Sequence, residues 1–238
     1  MADIDLTNAI LACIENGDRL TDDATLALDF ERTPTAYALS VLAQEEYAKA
    51  LLLLLVEVGA LPWSPEVRGA LRDHLCKQLA TVLLDYLCPQ VDEFIRRHNG
   101  MNIWEDLPKD VLDAIHVIVH ERIPKERGRW WIAPNERPLD KTVKKIAQGT
   151  MDRKKQDAVY VDIGETGKVE SVPLGVSVQA AEAELERAKR IGGDLRPGAS
   201  EAKPRLPPHV DSGKLVDIFR LLTNQLSPTE FTARWRSV

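Results

Sequence analysis

Aromatic residues are scarce in this sequence, 5% of 238 positions. That scarcity argues against a β-sandwich or barrel, whose strands draw on Phe, Tyr and Trp, and suits helices packed through Leu and Ala. Cysteines number three, Cys13, Cys76 and Cys88, each in an apolar helical context. So few, so placed, they read as reduced buried thiols of a cytoplasmic protein rather than a disulfide framework. No long hydrophobic run occurs. The longest, Ala50 to Val56, is far too short to span a bilayer, and the acidic start MADIDLTNAI lacks the parts of a signal peptide. There is no phosphate-binding glycine loop, no C-x-x-C pair, no G-x-S-x-G and no internal repeat. The net charge of −6 excludes a general nucleic-acid coat.

What is present, at 44% hydrophobic residues, is enough for a sizeable core. Leu6, Ile10, Cys13, Leu20, Ala24, Ala27 and Leu28 follow helical spacing and predict a first helix from Asp5 to Phe30, with Gly17 as a bend. Thr33-Pro34 opens a second helix that Gly59 and Pro62 end. Ser64-Pro65 opens a third, with Val67, Leu71, Leu75, Leu79, Val82, Leu83 and Tyr86 on one stripe up to Pro89. A fourth spans Trp104 to Ile123, beyond the Asn99-Gly100 turn signal. Short connections between such helices imply an antiparallel bundle. The pattern then changes. A basic stretch holds Lys141, Lys144, Lys145, Arg153, Lys154 and Lys155, and a strand-like alternation around 158–163 with a return at 168–172 reads as a hairpin. A helix follows from Val178. The reading divides the chain into a helical domain over 1–191, a flexible linker over 192–213, and short helices over 214–238, the last opened by the Ser227–Glu230 capping box.

The most informative feature is charge inside the second helix. At helical pitch Glu46 falls among Leu39, Leu42, Ala50 and Leu53, and Lys49 between Leu42, Leu53 and Val56, with Glu45 beside Lys49. A buried carboxylate needs a partner or stays protonated. The cluster therefore reads either as an ion pair that sets helix register or as part of a functional site. His74 flanks the third helix's stripe one turn from Lys77. It suits a general base, and equally a boundary histidine paired with Glu46 or Glu45. His116 and His120 are spaced as a metal pair, but no third ligand accompanies them, and ordinary packing is the stronger reading. Lys144, Lys145, Arg153, Lys154 and Lys155 form a segment that can track a phosphate backbone, with Trp130 or Trp131 as a stacking surface, or else a solvated helix face. Tyr160 and Asp162 share one strand face, aimed either at the charged cluster or at water.

The order of these pieces carries a resemblance. An alanine-rich helix with Glu45-Glu46-x-x-Lys49 comes first, then His74-x-x-Lys77, then Lys154 or Lys155 followed by Tyr160-Val161-Asp162, and then Pro173 and a helix. This order resembles the AbiV-type abortive infection proteins of the HEPN superfamily, over roughly Asp5 to Ile191. The resemblance implies a mainly α, HEPN-like bundle, often a homodimer, and a role in defence against bacteriophage. Many HEPN proteins are metal-independent endoribonucleases with an arginine four to six residues before a histidine. The nearest pair here, Arg68 and His74, points about 120° apart on a regular helix and does not match that arrangement.

The expectation is an intracellular antiviral effector, triggered by a phage protein, that shuts down host translation or RNA metabolism. In its catalytic form it cleaves RNA, with His74 as base, Lys77 or Lys49 stabilising the phosphorane, Glu46 orienting the histidine, and Glu45, Tyr160 and Asp162 nearby. It implies no cofactor, no metal and no membrane. The alternative is a non-enzymatic interaction module whose charge cluster is structural.

Overall fold

The computed structural model describes residues 6–89, 108–123, 138–173, 175–199, 204–207, 212–222, 227 and 229–230. The chain forms a mainly α bundle with one small hairpin, as its composition implies. The elements in chain order are α1 (Thr7–Asp29), α2 (Thr33–Glu57), α3 (Pro65–Ala70), α4 (His74–Leu87), α5 (Lys109–Val117), a π-helical turn (Ile118–Arg122), α6 (Lys141–Ala147), α7 (Thr150–Asp157), β1 (Asp162–Ile163), β2 (Val169–Ser171), α8 (Val178–Ala199) and α9 (Ser212–Leu222). No described helix is long and apolar enough to cross a membrane.

Helix α2 is the axis of the bundle. It packs on α1, α8 and α4, and it is buried on nearly every side, from Ala36 to Leu55. The apolar circumference that would otherwise need a second copy is covered within the chain itself. Helix α1 is continuous through Gly17, which is a contact rather than a bend. A Cβ there would lie 2.5 Å from the Tyr47 ring.

Two helices expected as single pieces are divided. Ser64 caps α3 through its side chain, as expected, but the third helix stops at Ala70 and restarts at His74. Asp73 is the reason. Its Oδ1 accepts from the amides of Leu75 (2.8 Å) and Cys76 (3.3 Å), a new N-cap in mid-pattern. The apolar stripe survives the break, so periodicity alone does not reveal it. The fourth helix ends in a π turn, where the Ile123 amide bonds the Ile118 carbonyl at 2.9 Å. Its expected start at Trp104, Asn99-Gly100, and Trp130 and Trp131 lie outside the described residues.

The linker expected over 192–213 is overturned in its first third. Helix α8 runs on through Gly192, Gly193 and Pro197 to Ala199. The buried stripe Ala181, Leu185, Ala188, Ile191, Gly192, Leu195 and Ala199 explains this. The small residues there are a contact face, not slack. The Arg205 amide bonds the Gly198 carbonyl at 3.0 Å, and Leu206 is buried. Helix α9 adds Leu215 and Phe219 to the main core. The capping box forms as expected, with the Glu230 amide donating to Ser227 Oγ and the Ser227 amide to the Glu230 carboxylate.

The hairpin differs in burial. Its strands pair antiparallel, with an irregular register between Asp162 and Ile163, yet Val159, Val161, Ile163 and Val169 are all exposed. Ala158, just before it, is buried in the bundle.

Cys76 and Cys88 are buried, as the sequence implies, whereas Cys13 is only partly buried. Burial pushes the Cys76 thiol up to about 12, with Asp73 adding to the effect, and raises that of Cys88 as well. Thiolate is the reactive form. Alkylation of the native protein at mildly alkaline pH is therefore expected to leave both unmodified, and all three cysteines are expected to react after denaturation. Native labelling of Cys76, read by mass spectrometry, is the result that contradicts this.

Candidate functional site

The centre of the site is Glu45, on the α2 face turned towards α4. Its side chain is 1% exposed and has four polar partners from two other helices. Oε2 lies 2.7 Å from His74 Nδ1 and 2.8 Å from Lys77 Nζ. Oε1 accepts from Lys155 Nζ at 2.7 Å and from Gln78 Nε2 at 3.3 Å. Lys155 reaches in from α7, where its Nζ also meets Asp152 Oδ1 at 2.8 Å and His74 Nδ1 at 3.1 Å.

Burial alone would raise the Glu45 carboxyl. The hydrogen bonds and charges of Lys155 and Lys77 outweigh it, and the group titrates below its ordinary value. Burial would likewise lower Lys155, but Asp152 and Glu45 hold its ammonium above the ordinary lysine value. The cluster is therefore an ionised carboxylate between two ammonium groups.

His74 is the exposed member, with a side chain 51% accessible. It is the first residue of α4, placed there by the Asp73 cap, and Arg122 from the π turn lies 3.4 Å from the other Asp73 oxygen. With a proton on Nδ1 the ring donates to Glu45 and leaves the Nε2 lone pair, which has no hydrogen bond among the described residues. A carboxylate that holds one imidazole nitrogen and frees the other sets the tautomer of a base.

Of the residues singled out in the sequence, the structure joins Glu45, His74 and Lys77 and leaves others out. Glu46 does not touch His74. It pairs with Lys49 at 2.5 Å within α2, on the side that faces Cys13 of α1. Adjacent residues on a helix point about 100° apart, so of two neighbouring glutamates only one can face α4. Tyr160 and Asp162 are exposed on the hairpin, facing water. Lys144, Lys145, Arg153 and Lys154 are exposed on α6 and α7, but Lys155, expected among them, is buried in the cluster. Arg68 lies on α3 with its guanidinium 5.7 Å from the Trp63 ring centre.

Three participants were not legible as such: Gln78, Asp152 and Asp73. The aspartate directly before His74 is a cap signal, and Asp152-x-x-Lys155 is a helical ion-pair spacing, but both patterns are common. Glu45, His74 and Asp152 each bring a ligand atom within 4.8 Å of the others, a grouping that can hold a metal. The Lys155 ammonium lies against all three, so a divalent ion would have to displace it. His116 and His120 stand apart from this grouping, with ring centres 4.6 Å from each other.

A model of the AbiV family of HEPN proteins matches residues 5–193 of the chain. No curated protein and no solved structure matches it.

Proposed function

Because the chain belongs to the AbiV family of HEPN proteins, a membership that suggests antiviral defence by abortive infection, we propose that it is an effector that cleaves RNA and so stops host translation. One observation carries the reading. The exposed histidine is held at Nδ1 by a buried carboxylate that two lysines flank, and its other nitrogen is open. His74 Nε2 takes the proton of a ribose 2′-hydroxyl, and that oxygen attacks the adjacent phosphorus. The bond from phosphorus to the 5′ oxygen breaks, leaving a 2′,3′-cyclic phosphate and a 5′-hydroxyl. Lys155, buried on the Nδ1 side of the ring, holds the Glu45 carboxylate in place behind the histidine. The exposed Lys144, Lys145, Arg153 and Lys154 guide the phosphate backbone.

The leaving oxygen needs a proton, and a second copy of the chain is the natural donor. A two-fold dimer brings two His74 side chains to one groove, one acting as base and the other as acid. Light scattering at micromolar concentration is expected to give the mass of a dimer. A strict monomer removes the composite site.

A second reading has support in the 1% exposure of Glu45. A cluster so thoroughly buried can serve the fold alone, with the protein acting by binding a phage partner. Phage challenge of cells carrying the wild type or His74→Ala separates the two. RNA cleavage requires that His74→Ala loses protection and the infection-dependent RNA fragments while melting like the wild type. Full protection by His74→Ala sinks the catalytic reading.

A further inference from the structure

Behind the Glu45 carboxylate, α2, α4, α5, α6, α7 and α8 line a cleft of about 1040 Å³. We propose that this cleft binds a nucleobase, and so reads the RNA beside the cleaved bond; the choice of RNA rests on the function proposed above. The volume matches sites that hold small organic ligands. Val41, Val82, Tyr86, Val111, Ile146 and Met151 give it apolar surfaces, against which a flat ring can lie.

Two unsatisfied polar atoms stand among its lining residues. Gln78 is 4% exposed, and its Nε2 donates to Glu45 Oε1. That bond orients the amide, because a flipped Gln78 would set oxygen against carboxylate oxygen. Its Oε1 is then a buried acceptor without a partner. Farther along α4, Asp85 accepts from Nη2 of Arg190 of α8 at 2.8 Å, while the Arg190 Nη1 is buried and unpartnered. A buried polar group left open is costly, and folded proteins rarely keep one without a use. The fitting ligand brings a donor to Gln78 on an otherwise apolar plane. The edge of a nucleobase has that form.

Charge decides which part of a nucleotide enters. Among the described lining residues five are acidic, Glu45, Asp85, Asp110, Glu184 and Glu186, against the three basic residues Lys145, Arg187 and Arg190. A phosphate is disfavoured there, so the base points in and the backbone stays at the rim. Glu45 belongs to both places. The carboxylate that holds His74 also lines the cleft, so a bound base sits next to the nucleotide that meets the histidine.

Binding of the four unphosphorylated ribonucleosides to the full chain, followed by NMR and calorimetry, tests this without any need for cleavage. At least one is expected to bind at millimolar concentration or tighter. Gln78→Met, which keeps the length and removes the acceptor, is expected to weaken it about tenfold, the scale of one lost hydrogen bond. Val82→Phe, which fills the cleft from an apolar side and leaves every polar partner in place, is expected to abolish it. No binding by the wild type, or equal binding by folded Gln78→Met and Val82→Phe, overturns the proposal. Nucleoside binding without RNA cleavage keeps the cleft and removes the nuclease reading. Cleavage without nucleoside binding does the reverse.

Discussion

Replacing Glu45 by leucine is expected to cost the fold roughly 3–5 kcal/mol, the usual penalty for stripping a buried charge of its partner. Lys77 and Lys155, 5% and 7% exposed, would be left as ammonium groups without their shared carboxylate. The neighbouring Glu46→Ala is expected to cost about 0–1 kcal/mol, because its bond to Lys49 is local and partly solvated. The contrast between adjacent residues is the test. Chemical denaturation giving similar losses for both would contradict the geometry.

The pH dependence follows from the same pairings. The Glu45 carboxyl is lowered in the fold, so its stabilisation is present above the unfolded value and is lost as pH falls through the folded one. Lys155 is raised, so its stabilisation is present below the unfolded lysine value and is lost as pH rises through the folded one. Both contributions are intact from about pH 5 to about pH 10. The wild type is expected to weaken on either side of that window, and Glu45→Leu to lose the carboxylate-dependent part of the acid limb.

Gly17→Ala and Gly192→Ala are each expected to destabilise by about 1–3 kcal/mol through overpacking, although alanine gains about 1 kcal/mol over glycine in a helix interior. The opposite sign comes from Tyr47. Its ring lies between α1 and α8, where a Cβ on Gly17 would be 2.5 Å from Cε1 and one on Gly192 would be 2.4 Å from the hydroxyl. The ring cannot move aside, since it is 1% exposed and its hydroxyl donates to Asp18 at 2.9 Å and lies 3.3 Å from Thr21 Oγ1. Asp18 is held in turn by Arg196. In a Tyr47→Leu background the same alanines are expected to become neutral or stabilising, a coupling that thermal melts of the double variants measure. Stabilisation by either alanine in the native background contradicts the close packing.

The sequence alone determined the helical class, the capping starts at Ser64 and Ser227 and the burial of Cys76 and Cys88. These follow from periodicity and from local hydrogen bonds, which act over a few residues and leave a mark in the order of the chain. It also marked α2 as the helix that carries charge inward, and His74 and Lys77 as its partners. Only the tertiary structure decided between Glu45 and Glu46, because a rotation of one residue about the helix axis exchanges them and only the position of α4 sets that rotation. Only it could bring Lys155 across 110 residues to the Glu45 carboxylate. The basic run around Lys155 has the composition of a solvated surface, and a single side chain turned inward does not change that composition. Gly192 shows the same limit. A glycine in a loop and a glycine pressed against a tyrosine ring are identical in sequence, and only the neighbour that arrives on folding tells them apart.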